Sequence, residues 1–372
     1  MGEAMASSVY AERHARALER MAAEGVDCLF VPVSTNLFYF SGVKIKKTER
    51  LTALVLSCGM EPFLVCPAFE RSRVGAMSAV SDLRLWGEAE DPYRLVAGSL
   101  SARPPRRVAV ESTAWFSEYA RLAEALPGAE FVSASPITEA LRAQKSPQEV
   151  EAIRRAASIM ERARAAAVAR ARAGMSQEEL KGLHLAAVKA EGGAEPSCTL
   201  TFGPNSSLPH GGSAPLNLRP TDVIMMDGGV AVNGYRCDLT RTWAFGRPWA
   251  RFEEAVKVVL EAQAAAIAAA GPGVPAQEVD RAARRVIEGA GYGRYFTHRV
   301  GHGTGLDGHE KPYLAEGNLE PLLPGMVATV EPGIYLPGEF GVRIEDDIVI
   351  TPDGCECLST RVGSWDELIL GG

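Results

Sequence analysis

Four acidic residues stand inside runs that otherwise have the composition of buried β-strands: Asp227 closes VIMMD, Asp238 lies in YRCDLTRTWAF, Glu331 in MVATVEPGIYL and Glu345 in VRIEDDIVI. A carboxylate among apolar strand residues is costly unless a metal ion or a basic group compensates it. Such acids therefore point to a compensating metal or basic partner. Between the first two lies Asn233-Gly234, the strongest short-range signal for a two-residue hairpin turn. With that turn, position 227 faces position 240, and the period-two alternation of side chains puts Asp238 on the face of Asp227 as its diagonal neighbour. Diagonal Cβ atoms are somewhat less than about 7 to 8 Å apart, which leaves room for cations between the carboxylates. For the second pair, an odd-length loop centred on Gly338 sets Glu331 directly opposite Glu345, again on one face.

The stretch THRVGHGTGLDGHE, from Thr297 to Glu310, holds His298, His302 and His309, three of the chain's 6 histidines. Histidine is the commonest metal ligand and changes charge near neutral pH, so this density points to a metal or acid-base site. The glycines at 301, 303, 305 and 308 are expected to give the loop backbone geometries closed to other residues. Four carboxylates with one imidazole form a ligand set suited to a two-metal hydrolytic site, four negative charges balancing two divalent cations. Oxygen-rich donors with a single histidine suit manganese, cobalt or zinc better than a thiolate-seeking metal. GHGTG is not a dinucleotide fingerprint, because no βαβ unit ending in an acidic residue surrounds it.

At 372 residues the chain is long for one domain, and a prior of roughly 100 to 200 residues per domain suggests two. A net charge of -7 argues against nucleic acid or an anionic membrane as the main partner. The start lacks an apolar signal-peptide core, and no uncharged apolar run of about 18 residues occurs, so a cytoplasmic protein without a membrane span is expected. The 7 cysteines show no CxxC spacing and suit buried free thiols. The first 140 or so residues alternate helical and strand-like segments, with VDCLFVPVS, NLFYFSG, LTALVLS, PFLVCP and RVAVES read as β-type, and form an α/β unit. Ser146-Pro147-Gln148-Glu149 then reads as a capped helix start. In the helix that follows, Val150, Ile153, Ala157 and Met160 form the packing stripe, with Arg154, Arg155, Arg162, Arg164, Arg170 and Arg172 on a solvated face. These signals place the domains at 1–142 and 143–372.

The order DGGVAVNGYRCDLTRT, HRVGHGTGLDGHE, VEPGIY, RIEDD resembles the proline-specific metallopeptidases of the pita-bread fold, the Xaa-Pro aminopeptidases and prolidases, which are relatives of methionine aminopeptidase and creatinase. NLFYFSG is similar to part of the creatinase-type N-terminal domain. The resemblance implies an α/β creatinase-like N-terminal domain followed by an α+β pita-bread catalytic domain, and a dinuclear-metal hydrolase that cleaves the Xaa-Pro bond at the N-terminus of peptides. It also implies that Asp227 binds one metal, Asp238 and Glu345 bridge both, and His302 and Glu331 bind the second. His210, His298 and His309 correspond to non-ligand histidines around the substrate, and Arg343 to a substrate-side residue beside the acids. Glu331 is expected to shuttle the proton from water to the leaving proline nitrogen, and His210 and His309 to hydrogen-bond the carbonyl oxygen as charge develops on it. Cys237 replaces a serine common in the family, one small residue for another. A homodimer is implied as well.

Methionine aminopeptidases share the five ligands but do not need the first 140 residues, creatinase needs no metal, and a non-catalytic peptide-binding module of this fold would have lost ligands. Peptide length is a separate matter. A dipeptidase must pair the free carboxylate of its terminal proline with a cation, and in the prolidases that this chain resembles an arginine shortly after the HE dipeptide does so. Here HEKPYLAEGN places Tyr313 there, and Lys311 is the sole basic residue between Glu310 and Val342. The expectation is an Xaa-Pro aminopeptidase that accepts Xaa-Pro-Yaa and longer peptides at least as well as dipeptides, with a dipeptide-restricted prolidase as the alternative.

Overall fold

The structure is a computed structural model that describes residues 2–371. It divides into two compact units, Met1–Arg142 and Ala143–Gly372. The first is built on a mixed 6-stranded sheet in the spatial order Asp82–Trp86, Phe63–Pro67, Ala53–Ser57, Cys28–Pro32, Arg107–Val110, Glu130–Ser133. Its three central strands are buried along their whole length, as their apolar runs require. LTALVLS and PFLVCP pair antiparallel, Leu54 opposite Leu64. NLFYFSG differs from the β-type reading: Thr35–Ser41 is a helix, capped by the Ser34 side chain accepting from the Leu37 amide and closed by Gly42 in the left-handed region at φ 79. Leu37, Phe40 and Ser41 face inward at helical spacing. A short apolar run fits either period, and here the serine before it and the glycine after it decide.

In the second unit the helix Pro147–Val168 starts at Ser146 with a full capping box. Its arginines divide. Arg154 pairs with Glu356 and Arg162 with Glu191 at the surface, but Arg164 is buried, donating to the Leu239 carbonyl at 3.5 Å and lying 5.8 Å from the Trp243 ring. The packed face is thus wider than the stripe of small apolar residues, and the aromatic neighbour accommodates the buried cation. Two sheets follow, ordered Ile369–Leu370, Leu239–Phe245, Val223–Gly228, Thr199–Phe202 and Glu310–Leu314, Gly301–Gly303, Val327–Val330, Asp346–Ile350, Cys355–Cys357. Helices Ala250–Ala269 and Ala276–Gly289 bury Phe252, Val259, Val279 and Ile287 in the core shared with Met226, Phe245 and Ile348. Among the described residues no helix is long and apolar enough to cross a membrane.

Three runs expected as single strands are interrupted at their acids. YRCDLTRTWAF breaks between Tyr235–Arg236 and Leu239–Phe245, MVATVEPGIYL between Val327–Val330 and Gly333–Leu336, and VRIEDDIVI between Phe340–Arg343 and Asp346–Ile350. At each break the amide of the acid leaves its own hairpin: Asp238 donates to Asp347 Oδ2 at 3.0 Å, Glu331 to the Val300 carbonyl at 2.7 Å and Glu345 to the Thr240 carbonyl at 3.0 Å. The interruptions turn the strands toward one another, and the backbone donors still find acceptors, as buried amides must.

Candidate active site

The first acid pair is set by the hairpin. Val232 pairs with Tyr235, Thr240 with Asp227, and the turn residues Asn233 and Gly234 have φ of 53 and 87, the left-handed torsions that a two-residue turn matching strand twist demands. In the second hairpin Val330 faces Asp346 and Gly333 faces Arg343, so Glu331 and Glu345 meet in the gap between the two ladders. One ligand atom from each of Asp227, Asp238 and Glu345 lies within 4.8 Å of the others, and the same holds for His302, Glu331 and Glu345 and for Asp238, His302 and His309.

The stretch that carries the histidines contains the short strand Gly301–Gly303. Its glycines serve a purpose different from the expected one, since none of Gly301, Gly303, Gly305 and Gly308 has a positive φ. A Cβ on Gly301 would lie 1.9 Å from the Thr329 carbonyl oxygen, and one on Gly303 2.2 Å from that of Lys311. These two are glycine because neighbouring backbone approaches closely. His302 Nδ1 lies 3.1 Å from the Gly303 carbonyl and Nε2 3.2 Å from Glu331 Oε1, so each ring nitrogen has an oxygen beside it. His298 Nδ1 is likewise held by the Arg299 carbonyl at 2.7 Å, which leaves Nε2 to accept from the Tyr335 hydroxyl at 2.8 Å. His309 is exposed, its ring stacked on His302 at 3.8 Å between centroids.

His210, Asp227, Asp238, His298, His302, His309, Glu331, Arg343 and Glu345 all line one cavity of about 430 Å³, together with Pro209 and Arg299. Arg343 is its buried cation. It reaches Asp227 Oδ2 at 2.7 Å, the Tyr335 hydroxyl at 2.6 Å, Thr240 Oγ1 at 3.2 Å and the Pro209 carbonyl at 3.1 Å. The Arg343 guanidinium, even with Arg299 in the wall, cannot balance four carboxylates. Burial, then the charges of Asp227, Asp347 and Glu331, push the Asp238 carboxyl well above the usual range, and burial with Glu331, Asp238 and Asp227 does the same to Glu345. Burial also acts on Glu331, but its hydrogen bond to His302 and the charges of His302, His298 and Arg343 outweigh it and hold that carboxyl low. Oxygen donors converging on so little positive charge fit divalent cations.

Several supporting groups escaped the sequence reading. Thr240 Oγ1 donates to Glu345 Oε2 at 2.6 Å, and Thr329 Oγ1 to Glu331 Oε1 at 3.2 Å. Each threonine is two residues from an acid on a strand path and so shares its face, a signal available in DLTRT and TVE. Tyr335 and Asp347 stand inside the motifs VEPGIY and RIEDD. Lys145, paired in the interior with Glu310 at 2.6 Å, anchors the residue after His309 across a long sequence separation that no local pattern reveals.

Residues 151–352 match metallopeptidase family M24, and residues 13–144 match the creatinase/prolidase N-terminal domain. The chain belongs to metallopeptidase family M24. It is 36% identical over 354 residues to the probable dipeptidase PepE of Mycobacterium tuberculosis, a match covering 94% of each chain. The Xaa-Pro dipeptidase structure from Bacillus anthracis superposes with a TM-score of 0.89 at 29% identity, covering 97% of this chain and 100% of that one. The X-Pro aminopeptidase structure from Thermotoga maritima gives 0.84 at 29% identity over 96% and 99%. This M24 protein is a metal-dependent peptidase with the creatinase-like and pita-bread architecture its motifs implied.

Proposed function

We propose that this M24 peptidase hydrolyses the Xaa-Pro bond at the N-terminus of short peptides with two divalent cations, manganese, cobalt or zinc. In this reading Asp227 would hold one cation, His302 with Glu331 the other, and Asp238 and Glu345 would serve both. The observation that carries it is the convergence of five such donors in one cavity whose buried carboxyls are short of positive charge. Cations bound there would lower the pKa of water and polarise the scissile carbonyl. Glu331, held ionised by its neighbours, takes the proton of the attacking water and passes it to the proline nitrogen. Burial lowers the His298 pKa, and partial burial with the charges of His302 and Arg299 lowers that of His309. His298 fixes the Tyr335 hydroxyl, while His210 and His309 face the substrate carbonyl, and Arg343 keeps Asp227 and Tyr335 oriented. An Xaa-Pro bond has no N–H, so recognition falls on the ring and the flanking groups.

His210→Ala should lower kcat on the order of 10²-fold with a smaller change in KM, as expected for loss of one donor to a developing oxyanion. Steady-state kinetics check this, and an effect confined to KM would place His210 in ground-state binding. Two readings of peptide length follow. Tyr313 favours longer peptides, whereas Arg299 in the cavity wall favours dipeptides. Comparing kcat/KM for Ala-Pro, Ala-Pro-Ala and a longer Ala-Pro peptide at one manganese concentration separates them. The family resemblance also supports a cytoplasmic homodimer, which sedimentation of the purified full chain tests for assembly.

A further inference from the structure

The free carboxylate of a terminal proline needs a cation in the cavity wall, and most cations near the site are already engaged. Arg343 divides its donors among Asp227, Tyr335, Thr240 and Pro209. Lys311, the basic residue that follows the HE dipeptide, pairs with Glu320 at 2.9 Å and is absent from the cavity lining. Arg284 is held by Asp280. Arg299 is different. It lines the cavity, and its guanidinium lies 4.6 Å from the centroid of the Tyr313 ring. Tyr313 itself is opposite His302 in the antiparallel ladder, so the stack is anchored beside a candidate metal ligand. Among the described residues Arg299 forms no ion pair. Stacking occupies the flat face of a guanidinium and leaves its N–H edge free for the two oxygens of a carboxylate.

We propose that Arg299, braced on Tyr313, pairs with the C-terminal carboxylate of Xaa-Pro dipeptides and makes this peptidase prefer them to longer peptides. The inference rests on the Xaa-Pro reading above. It assigns to Tyr313 a different role from the one its sequence position suggested: the ring is the platform on which a cation from the segment leading into the neighbouring strand is laid. In a longer peptide the proline carbonyl joins a neutral amide, so the pairing is lost although the peptide still fits the metal site.

The test uses the manganese-loaded full chain, with Ala-Pro, Ala-Pro-amide and Ala-Pro-Ala as substrates and Ala-Ala as control. Wild type should favour Ala-Pro over the amide by about 10- to 100-fold in kcat/KM, the range for a hydrogen-bonded charge. Arg299→Met keeps the stem over Tyr313 but removes the charge. It should lose most of that preference through a rise in KM for Ala-Pro, with less than about threefold change for the amide, and Arg299→Lys should recover part of it. An equal loss on acid and amide, or no loss on Ala-Pro, overturns the proposal. Wild-type cleavage of Ala-Ala with none of the proline substrates cleaved would instead overturn the Xaa-Pro reading on which it depends. An unchanged melting temperature in Arg299→Met shows that a kinetic loss is not one of folding.

Discussion

Glu331→Gln is expected to lower kcat by about 10³-fold or more while the protein remains folded, since general acid-base catalysis alone contributes about 10² to 10⁴. The substitution keeps the shape of the side chain and an oxygen able to accept from Thr329 Oγ1, the contact that holds it at 3.2 Å. It removes the negative charge that faces His302 Nε2 at 3.2 Å and the basic oxygen that would take a proton from water. Both functions reside in one carboxylate, so no single neighbour can compensate. Arg343, 3.9 Å away, is always protonated, and burial keeps His298 from serving as a base of ordinary strength. Steady-state kinetics with parallel metal analysis and circular dichroism decide the matter. A folded, metal-replete Glu331→Gln enzyme with near-wild-type kcat would remove Glu331 from the proton path.

The second large effect is on stability. Chelation should lower the melting temperature of the catalytic unit, manganese should restore it, and the difference should grow from pH 5 to pH 8. The sign follows from Asp238 and Glu345, whose folded pKa values are raised by burial and by the charges of neighbouring carboxylates, Asp227 and Glu331 among them. Without cations, each such group favours folding below the unfolded carboxylate pKa, about 3.9 to 4.3. That contribution disappears as pH rises through the folded value. Cations reverse the balance because they bind the ionised form. A ligand present at about 1,000 times its Kd stabilises by about 4 kcal/mol, and at about 2 to 4 °C per kcal/mol the shift for a unit of this size is about 8 to 16 °C. Scanning calorimetry over that pH range measures it. Equal melting temperatures with and without manganese would mean that the acids do not form a cation site.

Much of the site was legible because it depends on local rules. The Asn233-Gly234 turn and period-two alternation suffice to put Asp227 and Asp238 on one face, and the pairing of Thr240 with Asp227 is the register that turn dictates. The loop about Gly338 likewise brings Glu331 opposite Glu345. NLFYFSG was misread because so short an apolar run, Leu37 to Phe40, satisfies both periods, and the Ser34 and Gly42 caps carried the deciding information. Arg164 was misread because amphipathic spacing takes every arginine as solvated, whereas this one finds Trp243 and a carbonyl inside. The glycines of the histidine stretch were expected to supply unusual torsions; they supply room for the Thr329 and Lys311 carbonyls, a reason visible only once those strands are adjacent.

By itself, then, the sequence determined the hairpin registers, the faces the acids occupy, the capped helix at Ser146 and the motif order of an M24 peptidase. Each of these follows from turn chemistry or side-chain period over a few residues. The tertiary structure decided which backbone amides leave their hairpins at Asp238, Glu331 and Glu345, which ring nitrogen of His298 carries its proton, and which cation in the cavity has no ion-pair partner among the described residues. Arg299 over Tyr313 is the clearest case. Arg299 lies just before the strand Gly301–Gly303 and Tyr313 within Glu310–Leu314, and only the pairing of those two strands brings the charge of one onto the ring of the other.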